Sequence, residues 1–348
     1  MNEPPLERLL ERLRGPGPGT PAATVPLRLA GRPVQLRFGS AALAALLTRS
    51  IRHLREEGAA PPELTIDCWT DDLGPAAVPP DWNRTGLTYL ESAACHLTWE
   101  PPEGPLVIYD RARRHAWMRF ATVDSVLNWE VARPFRRILH WWGADQSLQL
   151  IHAAAVGGKH AGVLLAGPSG SGKSTTALAC LAGGFAYAGD DYCLVEPGRP
   201  PRVHALYLSG VGNAQTAHLL PTLRERLLSA PRMPAQDSAK HLIYADEVAP
   251  AAVTPGFPLR AIVIPQITGG KRSHLHPLSA ADALRALAPS TVLQLPGKRA
   301  EGLARLGLLV RSVPSWQLRL GEDPRTAVDV LADFLVTPAG SESSLCPS

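Results

Sequence analysis

The sequence predicts an α/β fold for its second half, preceded by a smaller α+β domain. Beyond about residue 150, short apolar strands alternate with helices, and strands such as 163–165 and 261–264 are apolar at every position. Strands without alternation are typical of sheets covered on both faces. The first half instead shows alternating strands between turns rich in Pro and Gly. We therefore place an N-terminal domain at 1–128, an α/β domain at 129–336 and a flexible tail at 337–348.

The N-terminal domain begins with a helix and a hairpin. Leucines at helical spacing predict a short helix over 5–14. Alternating apolar residues on both sides of a turn predict a β-hairpin over 25–38. Ser40 is positioned to cap a helix that continues to about residue 56. Further strands are predicted at 64–69, 96–99, 106–109 and 115–120.

The second domain begins with a helix predicted over 134–142. Its predicted strands cover 150–156, 162–166, 186–187, 192–195, 204–208 and 259–267. Its predicted helices cover 173–182, 216–228, 280–287, 300–309 and 326–335. This alternation is typical of βα units.

Composition excludes several classes of protein. The 348 residues contain 35 basic and 31 acidic side chains, and a net charge of +4 is too small to predict binding to nucleic acid or to an anionic membrane. Five cysteines without CxxC spacing argue against a disulfide framework and a zinc knuckle. We find neither a transmembrane stretch nor a signal peptide, and expect a cytoplasmic protein. An oligomer is compatible with the sequence.

The most informative segment is the glycine-rich loop, which we define as residues 167–175. It matches the phosphate-binding P-loop motif G-x-x-x-x-G-K-[ST]. An apolar strand leads into it and a helix is predicted to follow, which is the arrangement that the motif requires. Its residues are Gly167, Pro168, Ser169, Gly170, Ser171, Gly172, Lys173, Ser174 and Thr175.

Each residue type in the glycine-rich loop suits the binding of a nucleotide. Glycines let backbone N–H groups converge on a phosphate, and the following helix adds its positive N-terminal dipole. The Lys173 ammonium can bridge β- and γ-phosphate oxygens, and the Ser174 hydroxyl can ligate Mg²⁺. ATP and Mg²⁺ are therefore the expected cofactors. The alternative is a glycine-rich turn that binds nothing.

Two polar features flank the loop in the sequence. Asp190 and Asp191 lie between apolar strands, where carboxylates are costly to bury unless a cation or a hydrogen-bond donor meets them. A magnesium–nucleotide site would provide both, and a solvated turn is the alternative. His152 lies within the predicted apolar strand 150–156, where a histidine is more often a satisfied core residue than a catalytic one.

Taken together, His152, the glycine-rich loop and the aspartate pair resemble the C-terminal kinase domain of the HPr kinase/phosphorylase family. That family has a histidine on the strand before a G-x-S-G-x-G-K-S loop and an Asp-Asp pair one short helix later. The spacings are similar to the 21 and 17 residues that separate His152 and Asp190 from Lys173. The resemblance covers about 150–195.

The resemblance implies a fold similar to that of phosphoenolpyruvate carboxykinase and transfer of a phosphoryl group to a serine hydroxyl. On this basis Asp190 is the base that accepts the hydroxyl proton. Asp191 and Ser174 lie at the metal, Lys173 contacts the phosphates, and His152 helps to shape the catalytic site.

The sequence also departs from the family pattern. Thr175 stands where members often have Glu, and 205–210 lacks the acidic metal ligand of a later strand. These departures argue against phosphorylase activity and against HPr as the substrate. The pattern is closer to divergent HPr-kinase-like proteins associated with the modification of small ribosomal peptides, including lasso-peptide precursors.

The leading hypothesis is an ATP- and Mg²⁺-dependent kinase that acts on a hydroxyl of a peptide, a protein or a small molecule. One alternative is a non-catalytic ATP sensor that engages a partner through its N-terminal domain, and another is an NTPase with water as acceptor. Asp190 distinguishes them, because a kinase needs a base within reach of the acceptor hydroxyl. Lys240 and Arg232 are candidates for neutralising transition-state charge, although basic residues are more usually solvated.

Overall fold

A computed structural model of the chain describes residues 19–58, 60–70, 87–100, 104–232 and 239–338. The helix predicted over 5–14 and the tail from 339 lie outside these residues. The chain divides into two compact units: the described residues up to Arg49 with Arg55–Trp142, and Ser50–Leu54 with the residues from Gly143. The boundary predicted at 128/129 was placed where the pattern of strands changes along the sequence. The division by contacts between residues instead falls after Trp142.

The described residues of the first unit form seven strands in one sheet. They are β1 (Ala23–Leu29), β2 (Arg32–Phe38), β3 (Leu64–Thr70), β4 (Thr88–Glu91), β5 (Cys95–Trp99), β6 (Leu106–Asp110) and β7 (His115–Phe120). Their order is β1-β2-β3-β7-β6-β5-β4. The predicted hairpin is confirmed, because β1 and β2 pair antiparallel and bury every second residue. The three neighbours β2, β3 and β7 run parallel.

The helices of this part of the chain are α1 (Ala41–Thr48), α2 (Asn128–Ala132) and α3 (Arg136–Asp145). The predicted cap is confirmed, since the Ser40 side chain accepts a hydrogen bond from the backbone N–H of Leu43 at 3.2 Å. The helix is shorter than expected, because a 3₁₀ turn replaces it over Arg49–Leu54. Neither β4 nor α2 was evident in the sequence pattern.

Eleven strands lie in the described part of the second unit. They are β8 (Gln149–Ile151), β9 (Ala154–Gly157), β10 (Gly162–Leu165), β11 (Ala186–Gly189), β12 (Cys193–Glu196), β13 (Arg202–His204), β14 (Ser209–Asn213), β15 (Lys240–Tyr244), β16 (Gly256–Gly270), β17 (His274–Leu278) and β18 (Ser315–Gly321). The main sheet has the order β11-β9-β10-β16-β13-β12-β8, with β18 beside β16 and β17 beside β18. Strands β14 and β15 form a separate antiparallel pair.

The helices of the second unit are α4 (Lys173–Ala182), α5 (Ala214–Leu219), α6 (Arg224–Ser229), α7 (Ala245–Val248), α8 (Ala280–Val292), α9 (Arg299–Ser312) and α10 (Pro324–Val336). The single helix predicted over 216–228 is wrong. Two short helices replace it, separated by a 3₁₀ turn at Pro221–Leu223, because proline cannot donate the hydrogen bond that a continuous helix needs.

The central strands of the main sheet are buried on both faces, as predicted. Val163 and Leu165 of β10 pack in one apolar cluster with Leu178 of α4. Leu164, which points the opposite way, packs in a second cluster with Leu287 of α8. Full burial of one such leucine stabilises the fold by about 1.5–3 kcal/mol. The architecture is therefore mixed α/β.

Among the described residues, no helix is both long and apolar enough to cross a membrane.

The strand predicted over 150–156 is two strands, and His152 lies at the break between them. On one side β8 pairs with β12, while on the other β9 pairs with β10 and β11. The chain must therefore change partners at His152, which a run of apolar residues does not reveal. The strand predicted over 204–208 is also wrong, because β13 ends at His204.

Candidate functional site

The glycine-rich loop connects the end of β10 to the first residue of α4. Gly172 precedes the helix with a φ of 101°, in the left-handed region that favours glycine. A Cβ atom at this position would lie 2.4 Å from Cδ1 of Leu320, which is closer than real contacts allow. The backbone angle therefore favours glycine here, and a Cβ atom would also displace the end of the Leu320 side chain.

Lys173 is held inside the loop. Its side chain is buried, with the residue 8% exposed, and Nζ donates hydrogen bonds to the carbonyl oxygens of Gly167 at 2.8 Å and Pro168 at 2.9 Å. Burial lowers the pKa of the Lys173 ammonium; the carboxylates of Asp190 and Asp191 oppose this shift, and the charge of Lys240 adds to it. The loop thus surrounds a cation that lies in electrostatic range of both aspartates.

Asp190 joins the loop to β14. It is 1% exposed, and its Oδ1 accepts a hydrogen bond from the Ser174 hydroxyl at 3.1 Å. Its Oδ2 accepts one from the backbone N–H of Val211 at 3.3 Å. Of the two aspartates, Asp190 is therefore the one that the structure brings to Ser174.

Asp191 contacts a different partner. Its φ of 79° lies in the left-handed region, and the backbone turns there between β11 and β12. Oδ1 of Asp191 lies 2.5 Å from Nε2 of His152. The two adjacent carboxylates therefore contact different residues: Asp190 contacts Ser174, and Asp191 contacts His152.

His152 is held by residues that the sequence analysis did not select. Its ring centroid lies 5.0 Å from that of Tyr192, and its backbone N–H donates to Oγ1 of Thr291 at 3.3 Å. The Tyr192 hydroxyl in turn donates to Oε1 of Gln294 at 2.7 Å. Tyr192 follows the aspartate pair and so could have been noticed, whereas no local signal marks Thr291 or Gln294.

The remaining loop residues differ in their surroundings. Pro168, Ser169 and Gly170 are exposed. Oγ of Ser171 is buried and has no hydrogen-bond partner among the residues that the structure describes. Oγ1 of Thr175 lies 3.0 Å from Oγ1 of Thr216 in α5, so Thr175 contributes to the contact between the loop and the helix that follows β14.

The oxygen donors at this site suit a hard divalent cation. The Ser174 hydroxyl and the Asp190 carboxylate already lie within hydrogen-bond distance of each other. Mg²⁺ commonly binds through one or two protein oxygens, with water and phosphate completing its shell. The described ranges contain no group of three or more His, Cys, Asp or Glu side chains that could hold a metal by themselves. The donor set therefore fits Mg²⁺ bound together with a phosphate ligand.

The two basic residues singled out in the sequence lie on the β14–β15 side of the site. Lys240 is the first residue of β15 and pairs with Asn213. Arg232 forms an isolated antiparallel bridge with His241 and is exposed. The segment 205–210, which lacks an acidic residue, includes the first two residues of β14.

The chain is thus a mixed α/β protein with a glycine-rich loop that encloses a buried lysine and contacts the first of two adjacent aspartates. No family model matches it, and the search of curated proteins found no match. Among solved structures it is similar to the Hpr(Ser) kinase/phosphatase from Coxiella burnetii, with a TM-score of 0.30 and 11% sequence identity over 53% of this chain and 95% of that chain.

Proposed function

We propose that the second unit is a kinase that binds ATP and Mg²⁺ and transfers the γ-phosphoryl group to a hydroxyl. The observation that carries this proposal is the Ser174–Asp190 hydrogen bond. It places a carboxylate and a hydroxyl, both magnesium ligands in phosphoryl-transfer sites, at the start of the helix that follows the glycine-rich loop.

The glycine-rich loop is the proposed nucleotide site. Residues 167–175 would surround the phosphates, with backbone N–H groups and the N-terminus of the ten-residue helix α4 supplying partial positive charge. The orphan hydroxyl of Ser171 supports a ligand with hydrogen-bonding oxygen atoms. Lys173 would neutralise phosphate charge, since a buried ammonium interacts strongly with a nearby anion.

The contacts favour different roles for the two aspartates, one at the metal and one in proton transfer. Asp190 would hold Mg²⁺ with Ser174, because it is the aspartate that contacts this hydroxyl. Asp191 would accept the proton of the acceptor hydroxyl, because its side chain is 15% exposed and is held by His152. This assignment exchanges the two roles that the resemblance to HPr kinases implies, in which Asp190 is the base and Asp191 is the metal ligand.

The proposed acceptor is a hydroxyl of a small peptide, a protein or a small alcohol. The proposed family is that of the HPr-kinase-like proteins. The His152–Asp191 contact favours a kinase over an ATP sensor. A sensor needs only the loop and a metal, whereas proton transfer needs an oriented base.

The test compares nucleotide binding and phosphoryl transfer in wild type and Lys173→Ala. Wild type should bind Mg·ATP in calorimetry and transfer labelled γ-phosphate to a panel of peptides and small alcohols. Lys173→Ala should weaken ATP binding about 10-fold or more, since it removes a charge-assisted contact to phosphate. Lys159→Ala is the matched control, because Lys159 is exposed and precedes β10, at the strand end away from the loop.

Unchanged ATP affinity in a folded Lys173→Ala protein would remove the basis of the proposed function. Tight ATP binding without transfer to any member of the panel, or with phosphate release to water only, would favour the sensor or the NTPase respectively.

A further inference from the structure

The end of α8 contacts the His152–Asp191 region at two points. Within the helix, Oγ1 of Thr291 accepts a hydrogen bond from the backbone N–H of His152 at 3.3 Å. Two residues beyond the end of the helix, Oε1 of Gln294 accepts one from the Tyr192 hydroxyl at 2.7 Å. An element remote in the sequence is therefore attached both to the histidine and to the residue that follows the aspartate pair.

The His152 ring is held at one nitrogen and by packing. Its Nε2 lies 2.5 Å from Oδ1 of Asp191, whereas its Nδ1 is buried and has no hydrogen-bond partner among the residues that the structure describes. In many histidine sites a hydrogen bond at the second ring nitrogen fixes the tautomer and the orientation. At His152 the Tyr192 ring lies in that supporting position, with the ring centroids 5.0 Å apart and the planes inclined by 36°.

Tyr192 is itself held at both ends. Its backbone N–H donates to the carbonyl oxygen of Asp190 at 3.1 Å, and its hydroxyl donates to Gln294. The residue is 3% exposed, and a buried phenol hydroxyl needs an acceptor. The bond to Gln294 therefore fixes the far end of the ring against which His152 packs.

We propose that Tyr192 and Gln294 are positioning residues, which hold the His152 ring in the orientation that directs the Asp191 carboxylate toward the acceptor hydroxyl. Both act through His152 rather than on the nucleotide. This inference rests on the proposed function, in which Asp191 accepts the proton of the acceptor. It assigns the end of α8 a part in proton transfer, because a base contributes fully only when its geometry is fixed.

The experiment removes the Tyr192–Gln294 hydrogen bond from each side. Tyr192→Phe keeps the ring, and Gln294→Leu keeps a side chain of similar size. Each should lower labelled phosphoryl transfer about 5-fold, the size of one hydrogen bond, and leave the calorimetric affinity for Mg·ATP within about 2-fold. The double variant should lose no more than either single variant, because both break the same bond. Gln294→Glu retains an oxygen acceptor and should keep most of the transfer.

Two further comparisons separate positioning from a general structural effect. In a His152→Phe background, Gln294→Leu should cause no additional loss, because its effect passes through the histidine. In NMR spectra of ¹⁵N-labelled protein, the His152 ring signals, identified by their absence from His152→Phe, should shift or broaden in Tyr192→Phe and in Gln294→Leu. Leu293→Ala is the local control, since Leu293 is 63% exposed beside Gln294, and it should leave both transfer and these signals unchanged.

Circular dichroism melting curves would verify that each variant is folded. If wild type transfers phosphate but folded Tyr192→Phe and Gln294→Leu transfer it equally well, or lose ATP affinity to the same extent, the positioning role is disproved while the proposed function stands. Additive losses in the double variant, or a full effect of Gln294→Leu without His152, would also disprove it. If wild type transfers no phosphate, the proposed function fails, and unchanged His152 ring signals in both variants would show separately that Tyr192 and Gln294 do not orient the ring.

Discussion

Nε2 of His152 lies 2.5 Å from Oδ1 of Asp191, so the histidine and the second aspartate of the pair form one unit. The first aspartate, Asp190, instead accepts a hydrogen bond from Ser174. Two neighbouring carboxylates of the same type are therefore distinguished by their partners, and this difference leads to separate predictions for each.

Asp190→Asn and Asp191→Asn should have different effects. With Asp190 at the metal, Asp190→Asn should raise the Mg²⁺ concentration needed for ATP binding about 10-fold, because an amide is a weaker ligand than a carboxylate. With Asp191 as the base, Asp191→Asn should retain ATP binding and lose about 10²-fold in phosphoryl transfer. Calorimetry at several Mg²⁺ concentrations and labelled transfer would measure these effects. The reverse pattern would restore the roles implied by the family resemblance.

His152→Phe should lower phosphoryl transfer about 10-fold or more and leave ATP affinity within about 2-fold. The ring would still pack against Tyr192, but no nitrogen would hold Asp191, and a poorly oriented base is less effective. His160→Phe is the control, since His160 is exposed in the turn before β10. A His152→Phe enzyme with wild-type transfer would show that the histidine is only a packing residue.

Gly172→Ala should destabilise the second unit more than Gly170→Ala. Both glycines have a positive φ, 101° and 80° respectively, so alanine at either position costs about 1–2 kcal/mol in backbone strain. Only at Gly172 does the new Cβ meet Leu320, at 2.4 Å, whereas nothing lies within 4 Å at Gly170. Because the atom met is the end of a flexible side chain, the overlap should add only about 0.5–1.5 kcal/mol, the cost of moving Leu320 from its rotamer.

Urea denaturation of the two single variants and of Gly172→Ala combined with Leu320→Ala would measure this difference. The double variant should recover part of the added loss, because it removes the atom that the new Cβ meets. Equal destabilisation by Gly170→Ala and Gly172→Ala would mean that β18 does not restrict the loop.

The low pKa of His53 in the folded protein should reduce the free energy of unfolding of the second unit in mild acid. Burial lowers the pKa of His53 to about 4, with Asp246 opposing the shift and Arg52 adding to it. Below the unfolded pKa of about 6.5 the unfolded chain takes up a proton that the folded chain does not, so stability is lost as pH falls from about 6.5 towards the folded value.

His53→Phe removes this titration and should lessen the stability lost between pH 7.5 and pH 5 by at most about 2 kcal/mol. Urea denaturation of wild type and variant at both pH values isolates the effect, since the other titrating groups are common to the two proteins. Parallel pH dependence in the two proteins would mean that His53 is protonated equally in the folded and unfolded states.

The strand–loop–helix arrangement around the glycine-rich loop was predictable from local sequence. Its motif, the apolar run of β10 and the helical pattern of α4 are contiguous, so their geometry depends on neighbouring residues. The buried central strands were predictable for a similar reason, because residues 163–165 and 261–264 are apolar throughout. The strands β14, β15, β17 and β18 were not, because short segments gain their stability from partners distant in the chain.

The sequence by itself determined which residues could meet at a site: a lysine and a serine in the loop, two aspartates and a histidine. Only the tertiary structure decided how they pair. Asp190 and Asp191 are equivalent in a sequence pattern, and the left-handed backbone at Asp191 separates their contacts. His152 lies between two strands because β8 pairs with β12 whereas β9 pairs with β10. Contacts across such distances depend on how the sheets assemble, which spacing along the chain does not encode.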